Sequence, residues 1–142
     1  MKKLLAVAAV VSLVGAGSAL AAEKQKVVYH LNSDDAKHQM AFMQNVQNHI
    51  NAVGKENLDL RVVMHGPGIT LMQNAKGNED VKSRVDNLKL QGITFNICAN
   101  TLKGKKVDYK KDMYDVSEKD IVPSGVAEIA ILQTKGYAYV KP

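Results

Sequence analysis

The chain has 142 residues, a single cysteine, no tryptophan and a formal net charge of +5 at pH 7. This length fits one domain with a real hydrophobic core, and one cysteine excludes both an intrachain disulfide and a zinc site built from several cysteines. The hydrophobic share of 46% and the charged share of 23% are ordinary globular values, which argue against a disordered chain.

Residues 1–21 have the three-part pattern of a secretory signal peptide. Two lysines follow the initial methionine, residues 4–17 form an uncharged apolar run, and Ala19 and Ala21 place small residues before the expected cleavage point. The apolar run is too short to span a bilayer comfortably, so an uncleaved membrane anchor is the weaker alternative. We therefore expect a periplasmic or secreted protein whose mature domain occupies residues 22–142.

Cleavage would also lower the net charge of the protein. It would remove two of the 19 basic residues and none of the 14 acidic ones, which leaves a net charge of +3. The remaining lysines are interleaved with acids, as on a solvated surface. The composition therefore predicts no nucleic-acid partner and no stable membrane insertion.

The first half of the mature chain alternates β-rich runs with helical segments. Residues 27–31 predict a strand, and a capping cluster at residues 33–35 opens a helix whose apolar positions recur in steps of three and four as far as Val53. A second strand is predicted at residues 58–64. A loop, a short helical piece and a longer helix follow, at residues 65–68, 69–74 and from about 77–80 onward.

The second half continues the same alternation. A third strand is predicted at residues 93–98, a helical or irregular segment runs to about residue 114, and a fourth strand follows at residues 120–123. Ser124 is a helix cap, and the helix after it is expected to turn four residues inward: Val126, Ile129, Ala130 and Gln133. The fifth strand is predicted at residues 137–140.

Strands that alternate with helices predict parallel strands joined by right-handed crossovers. The apolar strand runs fit a sheet that is covered on both faces. We therefore expect a single three-layer α/β domain, with a mostly parallel five-stranded sheet flanked by helices, in a flavodoxin-like architecture.

In such sheets ligands bind beyond the carboxyl ends of the strands. The lone cysteine and two of the four histidines fall at these ends, which is the strongest indication of a site in the sequence. Strand by strand, the candidate residues are His30 and Asn32; His65 and Gly66; Cys98, Asn100 and Thr101; Ser124 and Gly125.

Cys98 is the candidate catalytic residue. It precedes an expected helix start, where backbone N–H groups and the helix dipole stabilise a thiolate. The alternative is an inert, half-buried thiol, since free cysteine is among the most buried residue types. His30, His65 and Cys98, with Met64 or Met72, could instead bind zinc or copper. They lack a tight ligand spacing, so we predict no metal and no other cofactor.

The segments around Cys98 resemble a known family. Residues 93–103, 121–128 and 136–139, read as ITFNICANTLK, IVPSGVAE and GYAY, are similar to the DsrE/DsrF-like family of sulfur-relay-like α/β proteins. The resemblance runs from about Lys26 to Pro142 and is strongest to an exported branch. It implies the parallel α/β fold and a homo-oligomer, either a trimer or a hexamer.

The resemblance also implies a role for Cys98. In the relay members, a cysteine at the end of the third strand carries a persulfide and passes sulfur to a partner protein, and Cys98 occupies that position. This chain departs from those members in its expected export and in the residues after the cysteine, Ala99 to Leu102.

Three functions remain open at this point. The first is a periplasmic protein that carries sulfane sulfur on Cys98 for sulfur relay or oxidation, at most a transferase, with a sulfur donor or acceptor protein as partner. The second is a non-catalytic oligomeric module that binds a metal or small ligand at the strand-end cleft. The third is a structural oligomer in which Cys98 is inert.

Overall fold

Five parallel strands form the centre of the molecule in the computed structural model, which describes residues 23–142. The predicted signal peptide lies outside the described residues. The strands are β1 Gln25–Leu31, β2 Leu58–Met64, β3 Thr94–Cys98, β4 Ile121–Val122 and β5 Ala138–Val140. Their spatial order is β4-β3-β2-β1-β5, and the two outer strands are short.

Six α-helices in this range flank the sheet, which confirms the predicted α/β domain. The helices are α1 Ala36–Val53, α2 Thr70–Gly77, α3 Glu79–Leu90, α4 Ala99–Lys105, α5 Tyr109–Asp112 and α6 Gly125–Thr134. Side chains cap four of them, since each of four residues before a helix accepts a backbone N–H from its first turn: Asp35, Asn78, Asp108 and Ser124. The segment predicted as helical or irregular forms the two short helices α4 and α5.

The main hydrophobic core lies on one face of the sheet, between the strands and helices α1, α2 and α3. Alternate strand residues such as Leu31, Val62 and Ile97 point into it and are fully buried. Side chains of this size each contribute about 1.5–3 kcal/mol when they leave water. This face therefore supplies most of the stability of the domain.

The opposite face carries α6 and a smaller core. Val28 and Val63 of the sheet pack there against Ile129 and Leu132 of the helix, together with Tyr137. The helix is apolar on nearly all sides, so its sequence pattern does not identify the buried side.

The predicted inward face of α6 is therefore partly wrong. Ile129 does face inward, but Val126 is 61% exposed, and Ala130 and Gln133 are exposed as well. Leu132 takes the inward position instead.

In residues 23–142, no helix combines the length and the apolar character needed to cross a membrane.

Candidate functional site

His30, His65 and Cys98 lie at the carboxyl ends of the three central strands, on the face covered by α6. Side chains alternate along a strand, so His30 and His65 share the face of Val28 and Val63, two residues earlier. Cys98 ends β3 with Ile97 pointing into the opposite core. The strand order places β1, β2 and β3 side by side, which brings two histidines and the cysteine to one edge.

Cys98 lies where two helices begin. It is the residue just before α4, and the first residue of α6, Gly125, packs against its side chain. Cys98 is buried, with 5% of the residue exposed. Helix N-termini carry unpaired N–H groups and a partial positive charge, both of which favour an anion.

The polar groups around the sulfur favour the thiolate. Burial raises the pKa of Cys98, but hydrogen bonds from the Thr101 hydroxyl and from the backbone N–H groups of Gly125, Thr101 and Asn100 outweigh burial. The pKa therefore lies below the ordinary value of a cysteine thiol. These donors come from both helix starts, so the reactive form of the sulfur is stabilised by the fold itself.

Thr101 connects the sulfur to the loop after β2. Its Oγ1 accepts the backbone N–H of Gly66 at 2.9 Å. A hydroxyl that accepts one hydrogen bond still has its own proton to donate, and the sulfur of Cys98 receives it. Thr101 and Gly66, both predicted cleft residues, therefore act together on the cysteine.

Gly125 lies so close to the side chains of His65 and Cys98 that a larger residue does not fit there. A Cβ atom at this position would lie 2.9 Å from His65 Cβ and 3.3 Å from Cys98 Cβ. A side chain would therefore push His65 and Cys98 apart. Its absence lets the N-terminus of α6 reach the sulfur.

His30 and His65 form a hydrogen-bonded pair. Their Nε2 atoms lie 2.6 Å apart, and the ring centres are separated by 4.6 Å with planes inclined by 26°. The nitrogens are much closer than the ring centres, so the rings meet edge to edge around a shared proton instead of stacking face to face.

Both imidazoles are held neutral. Burial, with additional repulsion from His65 and Lys141, lowers the pKa of His30 to about 4. Burial and Lys141 also lower the pKa of His65. The histidines therefore do not supply positive charge to a thiolate near neutral pH, and the lowered pKa of Cys98 comes from the hydrogen-bond donors described above.

Tyr139 of β5 was missed by sequence reasoning. Its hydroxyl lies 2.7 Å from His30 Nδ1, and its side chain is 43% exposed. Tyr139 and Lys141 lie at the carboxyl end of the fifth strand, and in parallel sheets such ends line the ligand site. That position in the sequence is the signal that marks both residues.

The remaining predicted residues have other surroundings. The Ser124 side chain caps α6 by accepting the N–H of Ala127 at 3.5 Å. Asn32 is half-buried beside Gly68, where a Cβ would come within 2.9 Å of Asn32 Cα. Asn100 contributes its backbone N–H to the cysteine. Within residues 23–142, no group of three or more His, Cys, Asp or Glu side chains is arranged to hold a metal ion.

The five-stranded parallel sheet flanked by helices defines a single α/β domain. The model of the DsrE/DsrF-like family matches residues 25–142. The chain therefore belongs to the DsrE/DsrF-like family, as its sequence predicted. No curated protein matches the chain significantly in sequence.

Two solved structures share the fold. A protein of unknown function from Methanobacterium thermoautotrophicum, MTH1491, is 29% identical with a TM-score of 0.73, and the match covers 84% of this chain and all of that one. The YchN protein of E. coli is 14% identical with a TM-score of 0.65, over 83% of this chain and 99% of that one. The second likeness concerns the fold alone.

Proposed function

We propose that the protein is a periplasmic sulfur carrier that holds sulfane sulfur as a persulfide on Cys98. Family membership supports a sulfur-relay type of fold. The observation that carries the proposal to this chain is the set of four hydrogen-bond donors around Cys98, which lowers its pKa despite burial. A thiolate is the form of cysteine that attacks sulfur.

The chemistry needs only a persulfide donor. The Cys98 thiolate attacks the terminal sulfur of a donor R–S–SH. A bond forms between Cys98 Sγ and that terminal sulfur, and the S–S bond of the donor breaks. The leaving thiolate RS⁻ takes the proton that Cys98 released and departs as R–SH. Cys98 then carries –S–SH, and the same exchange with an acceptor thiolate returns it to the thiol.

Mass spectrometry of the folded protein after exposure to glutathione persulfide tests the proposal. We expect a mass increase of one sulfur atom on wild-type protein and none on Cys98→Ser. Wild-type protein that stays unmodified, and whose Cys98 also resists a small thiol reagent, would contradict the proposal. That result would favour the third function, a structural oligomer in which Cys98 is inert.

The hydroxyl of Thr101 offers a sharper variant. Thr101→Val removes one donor to the sulfur, so the pKa of Cys98 should rise and alkylation at pH 7 should slow about tenfold, which corresponds to about one pKa unit. Thr101→Ser keeps the hydroxyl and should restore the rate. Thr134→Val is the matched control, because the Thr134 hydroxyl donates to Ile131 O on α6 instead.

We also propose a homo-oligomer, a trimer or hexamer, as the family resemblance implies. The exposed apolar side chains Val126 and Ile131 of α6 support an interface there, since they are 61% and 45% exposed in the single chain. Light scattering should give a multiple of the chain mass for wild-type protein and a smaller particle for a Val126→Ser, Ile131→Ser double variant. A wild-type monomer would contradict this part of the proposal.

The periplasmic location is tested separately. Expression of the full chain should yield a periplasmic protein whose N-terminus lies near residue 22. Protein that stays in the cytoplasm with Met1 still at its N-terminus would overturn the predicted export.

A further inference from the structure

Three hydrogen-bonded side chains form a row that leads from the cleft to the edge of the sheet. The Tyr139 hydroxyl lies 2.7 Å from His30 Nδ1, and His30 Nε2 lies 2.6 Å from His65 Nε2. Tyr139 is exposed at β5, His30 is 8% exposed, and His65 is half-buried beside Gly125 and Cys98. The hydrogen-bonded row thus has an exposed end at Tyr139, a buried middle at His30 and a half-buried end at His65 beside the cysteine.

The protons of this hydrogen-bonded row can be arranged in two ways. In the first, the Tyr139 hydroxyl donates to His30 Nδ1, His30 Nε2–H donates to His65 Nε2, and His65 carries its proton on Nδ1. In the second, His65 Nε2–H donates to His30 Nε2 and His30 Nδ1–H donates to the Tyr139 oxygen. His65 Nδ1 then has a free lone pair. A neutral imidazole holds one proton, so each arrangement gives a hydrogen-bond partner to every ring nitrogen except His65 Nδ1.

Passing from one arrangement to the other moves a proton from end to end. A proton taken up at His65 Nδ1 releases the Nε2 proton to His30, which releases its Nδ1 proton to Tyr139, whose own proton leaves to water. Neither ring has to remain positively charged. That matches their surroundings, since both rings are partly buried and the charged group that acts on both of them is Lys141, a like charge.

We propose that Tyr139, His30 and His65 form a proton relay that carries the proton of the Cys98 thiol between the strand-end cleft and solvent at β5. The proposal rests on the proposed persulfide chemistry and adds the route of its proton. His65 takes the proton when Cys98 becomes a thiolate, directly or through one water, and returns one when the donor leaves as R–SH. Such a route stays open while a sulfur donor or acceptor covers the cleft.

Nitrogen-15 NMR of the histidine rings tests the relay without any sulfur chemistry. In wild-type protein at pH 7 we expect both rings to be neutral, with the His30 nitrogens at shifts between those of protonated and bare nitrogen, because the two arrangements exchange. Tyr139→Phe removes only the hydroxyl and should leave His30 in a single tautomer. A charged ring at pH 7, or His30 shifts that Tyr139→Phe leaves unchanged, would overturn the relay.

The rate of persulfide uptake on Cys98 provides the functional measurement. Tyr139→Phe should slow uptake about tenfold, a modest share of what positioned proton transfer contributes. The alkylation profile of Cys98 with pH should stay the same, because the hydrogen bonds that set its pKa are intact. Tyr139→Phe that takes up sulfur at the wild-type rate would refute the relay, and so would a shifted alkylation profile, which would indicate a structural role.

Tyr29→Phe is the matched control. The Tyr29 hydroxyl also meets a histidine, His49 Nδ1 at 3.0 Å, but on the opposite face of the sheet. This variant should change neither the His30 shifts nor the uptake rate. If wild-type protein takes up no persulfide, the sulfur-carrier proposal fails, while the NMR result still decides whether the relay exists.

Discussion

The two faces of the sheet come from the same strands and have opposite chemistry. Toward α1, α2 and α3 the buried strand residues all have aliphatic, thioether or aromatic side chains. Toward α6, alternate residues of those strands include His30, Asn96 and Cys98, all at least nine-tenths buried. One face therefore holds the fold together, and the other uses its buried positions for polar and reactive groups.

Adjacent residues of β3 show how this division arises. Ile97 is fully buried in the main core, while Asn96 and Cys98 on either side of it point toward α6. Asn96 Oδ1 is buried without a hydrogen-bond partner, which costs free energy. A strand can thus be optimal for packing on one side and suboptimal on the other, so substitutions on the two faces should have different consequences.

The largest expected effect lies on the packed face. Ile97→Ala should lower the free energy of unfolding by about 2–5 kcal/mol, because it leaves a cavity in a core that cannot fully collapse. Chemical denaturation measures this loss. A loss below about 1 kcal/mol would mean that the main core is less tightly packed than the structure shows.

Acid should destabilise the domain through the α6 face. The pKa of His30 is about 4 in the fold against an ordinary value of 6.5, so the unfolded chain binds more protons between these values. Stability should therefore be full above pH 6.5 and fall as pH drops toward 4. The full difference is about 3 kcal/mol, since one pKa unit is worth about 1.4 kcal/mol.

Denaturation at several pH values, with a His30→Asn variant, measures this dependence. The variant should show a smaller decline between pH 6.5 and pH 4, and the part that remains is expected from His65, whose pKa is also lowered by burial. His38→Asn, which leaves the histidine pair intact, should retain it. An unchanged decline in His30→Asn would assign the acid sensitivity to other groups.

Gly125→Ala should have an intermediate effect that touches both stability and reactivity. The new Cβ meets His65 and Cys98, so we expect a loss of about 1–3 kcal/mol from overpacking. The helix start would also move away from the sulfur, and the pKa of Cys98 should rise. Gly104→Ala is the control, because nothing lies near a Cβ at that position. Denaturation and the pH profile of alkylation report the two effects.

The smallest effect is expected next to Ile97. Asn96→Leu removes the unpartnered oxygen at similar volume, so stability should be unchanged or should rise by about 1 kcal/mol. The same denaturation experiment compares it with Ile97→Ala. A clear loss of stability in Asn96→Leu would show that the α6 face requires its polar group.

The fold could be predicted well from the sequence because the features that indicate it are local. Strands and helices alternate with clear caps, and alternation of this kind implies parallel strands. The gathering of His30, His65 and Cys98 at one edge followed from the same rule. The partly wrong face of α6 also has a local cause, because a helix that is apolar all round gives no periodic pattern.

The details of the site depend on strand order, which the sequence pattern does not reveal. His30 meets both His65 and Tyr139 because β1 lies between β2 and β5. Gly66 meets Thr101 because β2 lies beside β3. These pairings join residues 35 to 109 positions apart, and no local pattern marks them.

The short outer strands have a further consequence for behaviour at high concentration. β4 has two residues and β5 has three, whereas β1 and β2 have seven each. A long exposed edge invites another chain to add a strand, which leads toward fibrils. Here each edge offers few free backbone groups, and Pro142 follows β5 closely. The long, aggregation-prone strands are thereby kept inside the sheet.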